Sequence, residues 1–401
     1  MSNKFICYNT TRQWNPGDEF ILFGCQNLCK KVFSNDNLYS LIYNRNPDVR
    51  PMNGITQGLR NIRLPNNYTE DYNFTKYDAW LRIGFNDNSI KFNSDLSFCD
   101  LAVFAGTPEW ISHRCINFFE HILKNKLPTL ILGIGWLGNI DAPMEAVIEK
   151  TYLFTVRSKI LLDHDIAKKY NVVWMPCPAL YCVDIGNERQ ITTLKKCAIV
   201  LGVTRTVPFA GIDGKTFRFT VDIARYLRNK YKNIEFKFIT HYIDDIPELV
   251  NLFGKENVIY HYDSSAYPDI YRSFDLVLST RVHGCGIAAS LGIPNINIAH
   301  DIRADTCEGF LSEIINSDYT PTEVDDVFRK YLDDSYITES STNLIRYKHR
   351  TFQDYIKLIA ENIPDKTLSR IDYREDICLP SDTSPPPELK DIQIKFGITN
   401  E

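Results

Sequence analysis

No stretch of this 401-residue sequence is long and apolar enough to span a bilayer. The longest apolar run, Leu127 to Ile140 (LPTLILGIGWLGNI), is interrupted by glycines and a proline and falls short of the roughly 20 residues a membrane-crossing helix needs. The opening residues, MSNKFICYNTTRQWNPGDEF, hold no apolar segment of the kind a secretory leader carries. A cytoplasmic location is therefore expected, either free or peripheral at the inner face of a membrane. Positive charge is not in excess: 45 lysines and arginines face 50 aspartates and glutamates, for a formal net charge of -5. Nothing general draws a nucleic acid to the surface, and an anionic ligand must be met by a local basic site. The eleven cysteines include no CxxC pair, which argues against a structural zinc site. Their odd number and their placement in apolar runs, as with Cys197 in CAIVLGV, point to reduced thiols acting as small hydrophobes. No metal and no organic cofactor is expected. No short-period repeat is visible, which sets aside solenoids and propellers.

Against these absences, 44% hydrophobic and 24% charged residues are ordinary for a folded, water-soluble chain, and the length favours two domains. Short β-rich runs alternate with helical spacing, the order of parallel sheets with helices on their faces. LAVFAG (Leu101 to Gly106), TLILGIGW (Thr129 to Trp136) and YLFTVRS (Tyr152 to Ser158) lack the polar alternation of half-exposed strands and so read as strands covered on both sides. Helical spacing fills Glu109 to Asn125 and Ile160 to Tyr170. A second series opens with strand CAIVLGVTR (Cys197 to Arg205), helix Phe217 to Tyr231 and strand IEFKFITHY (Ile234 to Tyr242). It continues through helix Ile246 to Phe253, strand Val258 to Tyr262, helix Ala266 to Ser273, strand DLVLS (Asp275 to Ser279), helix Gly284 to Leu291 and strand NINIA (Asn295 to Ala299). The polar stretch Asp184 to Thr193 separates the two series. The expected architecture is α/β, with two Rossmann-like domains facing an interdomain cleft. They cover residues 1–188 and 189–340, followed by a helix over 341–366 and a partly irregular tail over 367–401. Open sheets of this kind bind ligands beyond the carboxyl ends of their strands, so the cleft is the expected site.

The segment YRSFDLVLSTRVHGCGIAASLGIPNINIA carries the densest chemistry, because a buried strand runs directly into Arg281, Val282, His283 and Gly284 and then a helix. A helix start offers backbone N–H groups and partial positive charge, so Gly284, Cys285 and Gly286 are candidates to approach an anion. Arg281 adds a planar fork for phosphate or carboxylate, and His283 adds a group whose ordinary titration lies near neutrality. The plainer alternative is a polar turn at the mouth of an unrelated Rossmann domain.

STRVHGCGIAASLGIP resembles the signature of the polysaccharide pyruvyl transferase family, a strand followed by Arg-x-His-Gly, a small-residue helix and Gly-x-Pro. NPGDE (Asn15 to Glu19) is similar to that family's amino-terminal Asn-x-Gly-Asp element, and VRSKILLDHDI to its Val-Arg-Ser segment. CPAL carries Cys177 where the family often has an aspartate, so no acid role transfers to that position. The resemblance spans Asn15 to Leu311. It implies a glycosyltransferase-B-like fold and transfer of a pyruvyl group from phosphoenolpyruvate to a sugar or lipid-linked oligosaccharide. It further implies that Arg281 and His283 form the donor-binding and catalytic pair, that Arg205 in GVTRT adds a basic contact, and that Arg303 stands where a lysine is common. On that reading residues 1–188 hold the acceptor and 189–340 the donor.

Asp18 is a candidate to deprotonate a sugar hydroxyl, with Glu19 beside it, although either also suits the first turn of a helix. Asn15, Glu19, Trp14, Trp136 and His241 are candidate acceptor contacts, with Asp244 lining the same cleft beside His241. The competing reading of THYIDD is a solvated turn in which Asp244 or Asp245 caps the following helix. Two other functions stay open at this level: a nucleotide-sugar-dependent glycosyltransferase, and a non-catalytic glycan-binding or scaffold protein.

Overall fold

The computed structural model describes residues 3–10, 16–33, 37–44, 80–83, 88–91, 96–97, 99–105, 116–135, 142–202, 212–242, 245–261 and 264–363. The first sheet comprises β1 (Asn3–Thr10), β2 (Asn37–Asn44), β3 (Trp80–Ile83), β4 (Asn88–Lys91), β5 (Leu101–Ala105), β6 (Thr129–Ile134), β7 (Thr151–Val156) and β8 (Val173–Trp174). Their spatial order is β4-β3-β2-β1-β5-β6-β7-β8, parallel throughout except where β3 pairs antiparallel with β2 and β4. The second sheet comprises β9 (Lys196–Val200), β10 (Glu235–Ile239), β11 (Val258–Ile259), β12 (Leu276–Ser279), β13 (Asn295–Ala299) and β14 (Glu313–Asn316). It is wholly parallel, in the order β11-β10-β9-β12-β13-β14.

In the first half the helices are α1 (Pro16–Val32), α2 (Ile116–Asn125), α3 (Ala142–Ile148) and α4 (Asp165–Lys169). In the second they are α5 (Gly214–Lys230), α6 (Ile246–Phe253), α7 (Tyr267–Arg272), α8 (Val282–Ser290), α9 (Pro321–Lys330) and α10 (Asp334–Asn362). Alternation along β1 sorts the two faces of the first sheet. Phe5 and Cys7 join Phe104, Phe118 and Phe119 under α2 and α3, whereas Ile6 and Tyr8 join Phe20, Cys25 and Leu28 of α1. That second cluster continues through Ala179 to Val183 into the second sheet, so the halves share one apolar core.

Two expected elements differ in detail. The segment 160–170 is a 3₁₀ turn, Lys159–Asp163, followed by the short α4, because His164 interrupts it and accepts a hydrogen bond from Ile166 N at 3.3 Å. The long carboxyl-terminal helix begins at Asp334, because the Asp333 carboxylate accepts from the N–H groups of Ser335 (2.8 Å) and Tyr336 (3.0 Å). This helix packs back on the first half. Tyr355 and Thr155 share a hydroxyl–hydroxyl bond of 2.6 Å, and the Tyr181 ring lies 5.4 Å from Phe352 and 6.0 Å from Tyr355. The buried Lys348 ammonium donates to Val183 O (2.9 Å), Ser290 O (2.7 Å) and Glu188 Oε1 (2.6 Å). All three of its protons are used, which is what makes a buried cation tolerable.

Candidate functional site

The turn between β12 and α8 is held from within. Ser279 Oγ accepts from Arg281 N at 2.9 Å and donates to Arg281 O at 2.6 Å. Arg281 has extended backbone angles (φ -103°, ψ 120°), so the helix starts at the next residue. Its carbonyl accepts the N–H groups of Gly284 (2.9 Å) and Cys285 (3.4 Å). This corrects the expectation that Gly284 and Cys285 offer their N–H groups to an anion, since both are engaged in the first turn. Gly284 and Gly286 are small for packing: an added Cβ comes within 2.3 Å of Ser279 Oγ at the first and 2.9 Å of the Phe310 ring at the second. The Cys285 thiol is fully buried and receives Asn297 Nδ2 at 3.9 Å.

The Arg281 side chain is 9% exposed. Its Nη2 lies 3.4 Å from Asp245 Oδ2, and its guanidinium carbon lies 4.4 Å from the centre of the Tyr242 ring. Gly202 approaches so closely that a Cβ there sits 2.2 Å from Nη2. Asp245 precedes α6 without capping it, so the alternative reading of THYIDD fails for Asp245.

His283 keeps partial exposure while its ring contacts both halves. Nε2 lies 3.1 Å from Arg157 Nη1, and an added Cβ on Gly17 comes within 2.5 Å of Nδ1. A guanidinium only donates, so Nε2 accepts and the neutral ring carries its proton on Nδ1, toward the start of α1. Burial, then the charges of Arg157 and Arg303, hold the imidazole well below its ordinary pKa. His283 is therefore neutral in the ligand-free protein rather than a group titrating near neutrality.

Arg157, at the end of β7, is the residue that reasoning from sequence missed. It is 1% exposed, yet among the described residues no carboxylate pairs with it, and its Nε has no hydrogen-bond partner. Besides His283, Nη1 reaches, among the described residues, the Cys177 sulfur at 3.7 Å. A buried guanidinium without a counter-charge is costly and signals a place for an anion. The Val-Arg-Ser segment marks the position; the missing signal is its distant neighbours.

Arg303 follows Asp301, whose carboxylate caps the 3₁₀ segment Ile302–Phe310 and accepts the guanidinium fork, with Nε at 3.0 and 2.9 Å from its two oxygens. His300 donates from Nε2 to Thr280 O at 3.0 Å and places Nδ1 3.3 Å from Asp301. Ser158 bonds to Asp305, and Lys159 to Glu308, joining the halves beside Arg157 and Arg303. Asp18 and Glu19 lie inside the first turn of α1, 7% and 1% exposed. The Asp18 charge is felt at Arg303 and Cys177, which brings it into the same cluster. His241 is 3% exposed, hydrogen-bonded through Nε2 to Tyr271 Oη at 2.9 Å and edge-on to Phe20. Burial, then Arg281, press its pKa down to about 3. It is a packed neutral group, neither the expected acceptor contact nor part of a solvated turn. Trp14, Asn15, Trp136 and Arg205 lie outside the described residues, as does Asp244.

Among the described residues no helix is long and apolar enough to cross a membrane, and no three metal-ligating side chains converge. No curated protein matches the chain. Among solved structures, a putative UDP-N-acetylglucosamine 2-epimerase from Listeria monocytogenes aligns with TM-score 0.50 and 9% identity, over 85% of this chain and 91% of that one. UDP-GlcNAc 2-epimerase from Neisseria meningitidis, bound to UDP-GlcNAc, aligns with TM-score 0.49 and 12% identity, over 90% and 99%. Likeness at this identity concerns fold alone, and with the two sheets described above the fold is of the glycosyltransferase-B kind. The family model for polysaccharide pyruvyl transferase matches residues 15–302, a span that runs from the start of α1 through the Arg281–His283 turn to the edge of Arg303. The chain belongs to the polysaccharide pyruvyl transferase family.

Proposed function

We propose that the protein transfers the pyruvyl group of phosphoenolpyruvate to two hydroxyls of a sugar, forming a ketal and releasing phosphate. The observation that carries this reading is the buried Arg157, bonded to His283 and without a carboxylate partner among the described residues, with Arg281 and Arg303 nearby. Phosphoenolpyruvate presents a carboxylate and a phosphate, and three guanidiniums suit two anionic groups. Its negative charge offsets the cations that keep His283 neutral, so donor binding raises the proton affinity of the imidazole.

In the reaction the donor methylene carbon gains a proton, one sugar oxygen bonds to the adjacent carbon, and the second sugar oxygen displaces phosphate. Of the two hydroxyl protons, one balances the new methyl group and the other leaves with phosphate. His283 supplies the proton to the donor, and Asp18 receives one from the sugar hydroxyl. A positioned acid or base of this kind contributes about 100 to 10,000-fold. Residues 1–188 present the acceptor and lend Arg157 to the donor, whose other contacts come from 189–340.

The test is incubation with phosphoenolpyruvate and a panel of galactosides, mannosides and N-acetylhexosaminides. The expected result is acceptor-dependent phosphate release, a ketal adduct by mass spectrometry, and strong loss of both in Arg281→Lys, because a point charge does not replace the fork. Sugar transfer from a nucleotide sugar, with no ketal formed, overturns the proposal.

A further inference from the structure

Asp245 stands at the position before α6 where an aspartate ordinarily accepts an N–H of its own helix. It makes no such bond. Its backbone is helical (φ -81°, ψ -22°), and its fully buried carboxylate faces Arg281 Nη2 at 3.4 Å and Thr240 Oγ1 at 3.0 Å. Thr240 is itself fixed: its N–H bonds to Ile259 O at 3.0 Å, its carbonyl accepts Tyr267 Oη at 2.9 Å, and its hydroxyl accepts Tyr242 N at 3.1 Å. The same short segment places the Tyr242 ring against the Arg281 guanidinium, 4.4 Å from its carbon. Buried ion pairs are weak contributors to stability compared with apolar packing, so stability alone does not account for a forgone helix cap and a buried carboxylate. The arrangement does account for orientation. A carboxylate ties one nitrogen of the fork, an aromatic face restrains its plane, and the close backbone of Gly202 limits its travel.

We infer that Asp245 and Tyr242 are positioning residues that set the angle at which Arg281 presents its guanidinium to the donor. The inference rests on the phosphoenolpyruvate reading for its kinetic consequences but not for its structural one. Because Asp245 already neutralises Arg281, this arginine acts in donor recognition through geometry more than through net charge, unlike Arg157, which has no carboxylate partner among the described residues.

The test combines kinetics with a readout independent of turnover. Asp245→Asn is expected to lower kcat by about 10 to 100-fold, the scale of a misaligned contact. KM for phosphoenolpyruvate should change by less than about threefold and the melting temperature only slightly. Added to Arg281→Lys, it should cause little further loss. Tyr242→Leu is expected to lower kcat similarly, and Tyr242→Phe, which keeps the ring, to recover most of that loss. By NMR, the Arg281 Nε–Hε group should be rigid in the wild-type protein and mobile in Asp245→Asn. Full kcat in Asp245→Asn and Tyr242→Leu, or multiplicative losses in the double variant, overturns the positioning role. If the wild-type protein releases no phosphate from phosphoenolpyruvate, the functional reading fails instead, and the NMR comparison alone decides the positioning role: an Nε–Hε group equally rigid in both proteins refutes it.

Discussion

Replacing Arg157 by methionine separates function from folding. The wild-type side chain is 1% exposed with no carboxylate partner among the described residues, and removing an ion from water costs several kcal/mol even after relaxation. The substitution removes the bond to His283 Nε2 at 3.1 Å and the weaker one to the Cys177 sulfur at 3.7 Å. Ordinary hydrogen bonds contribute about 1 kcal/mol each, so their removal does not outweigh the relief of the buried charge. Arg157→Met should therefore leave folding stability unchanged or raise it by up to about 3 kcal/mol, as measured by urea unfolding. Its activity should fall on the order of 100 to 1,000-fold, the value of one preorganised donor facing developing negative charge. The imidazole of His283 should also titrate at higher pH in the variant, because the Arg157 charge, second only to burial, presses it down. Phosphate release, urea melts and His283 ring proton shifts check the three arms. A variant that loses more than about 3 kcal/mol of stability, or that keeps wild-type turnover, would show Arg157 to be a structural brace and refute the reasoning.

Three other perturbations follow from the same geometry. His241 is neutral when folded, with its pKa near 3 against about 6.5 unfolded, so its contribution to stability is complete above 6.5 and declines as pH falls toward 3. In His241→Gln the slope of unfolding free energy between about pH 6.5 and 5 should flatten by up to about 1.4 kcal/mol per pH unit, read from urea melts; an unchanged slope counts against a neutral buried ring. Gly17→Ala places a carbon 2.5 Å from His283 Nδ1 and should cost about 100-fold in turnover with a small change in melting temperature. Lys348→Met strands the Glu188 carboxylate and should destabilise by about 3 to 5 kcal/mol, less where His349, 3.2 Å away, compensates. Adding Glu188→Gln should restore most of that stability in calorimetry.

Much of the architecture is legible because fully buried strands announce themselves. Leu101–Ala105 and Thr129–Ile134 are buried at every position, and their unbroken apolarity reflects helices on both faces. The strands β1 and β2, NKFICYNT and NLYSLIYN, interleave polar residues and do not read as strands, although they pair in register from Asn3–Asn37 to Thr10–Asn44. The short β14, half of it exposed at a sheet edge, is equally silent.

The site divides along a similar line. The Arg281–His283 turn is local, a strand passing into a helix within a few residues, and local order is what a sequence records directly. Gly284 and Gly286 stand out for their type, but only the neighbours Ser279 and Phe310 reveal that they are small for packing. Arg157 meets His283 across 126 positions of chain, and Asp245 meets Arg281 across 36. No spacing rule reports such meetings. The sequence alone therefore determined the layered α/β plan, the family and the turn that bears an arginine and a histidine. Tertiary structure alone decided which charge meets no carboxylate among the described residues, which is clamped, and that the histidine is neutral, because proton affinity depends on burial and on charges brought close through space.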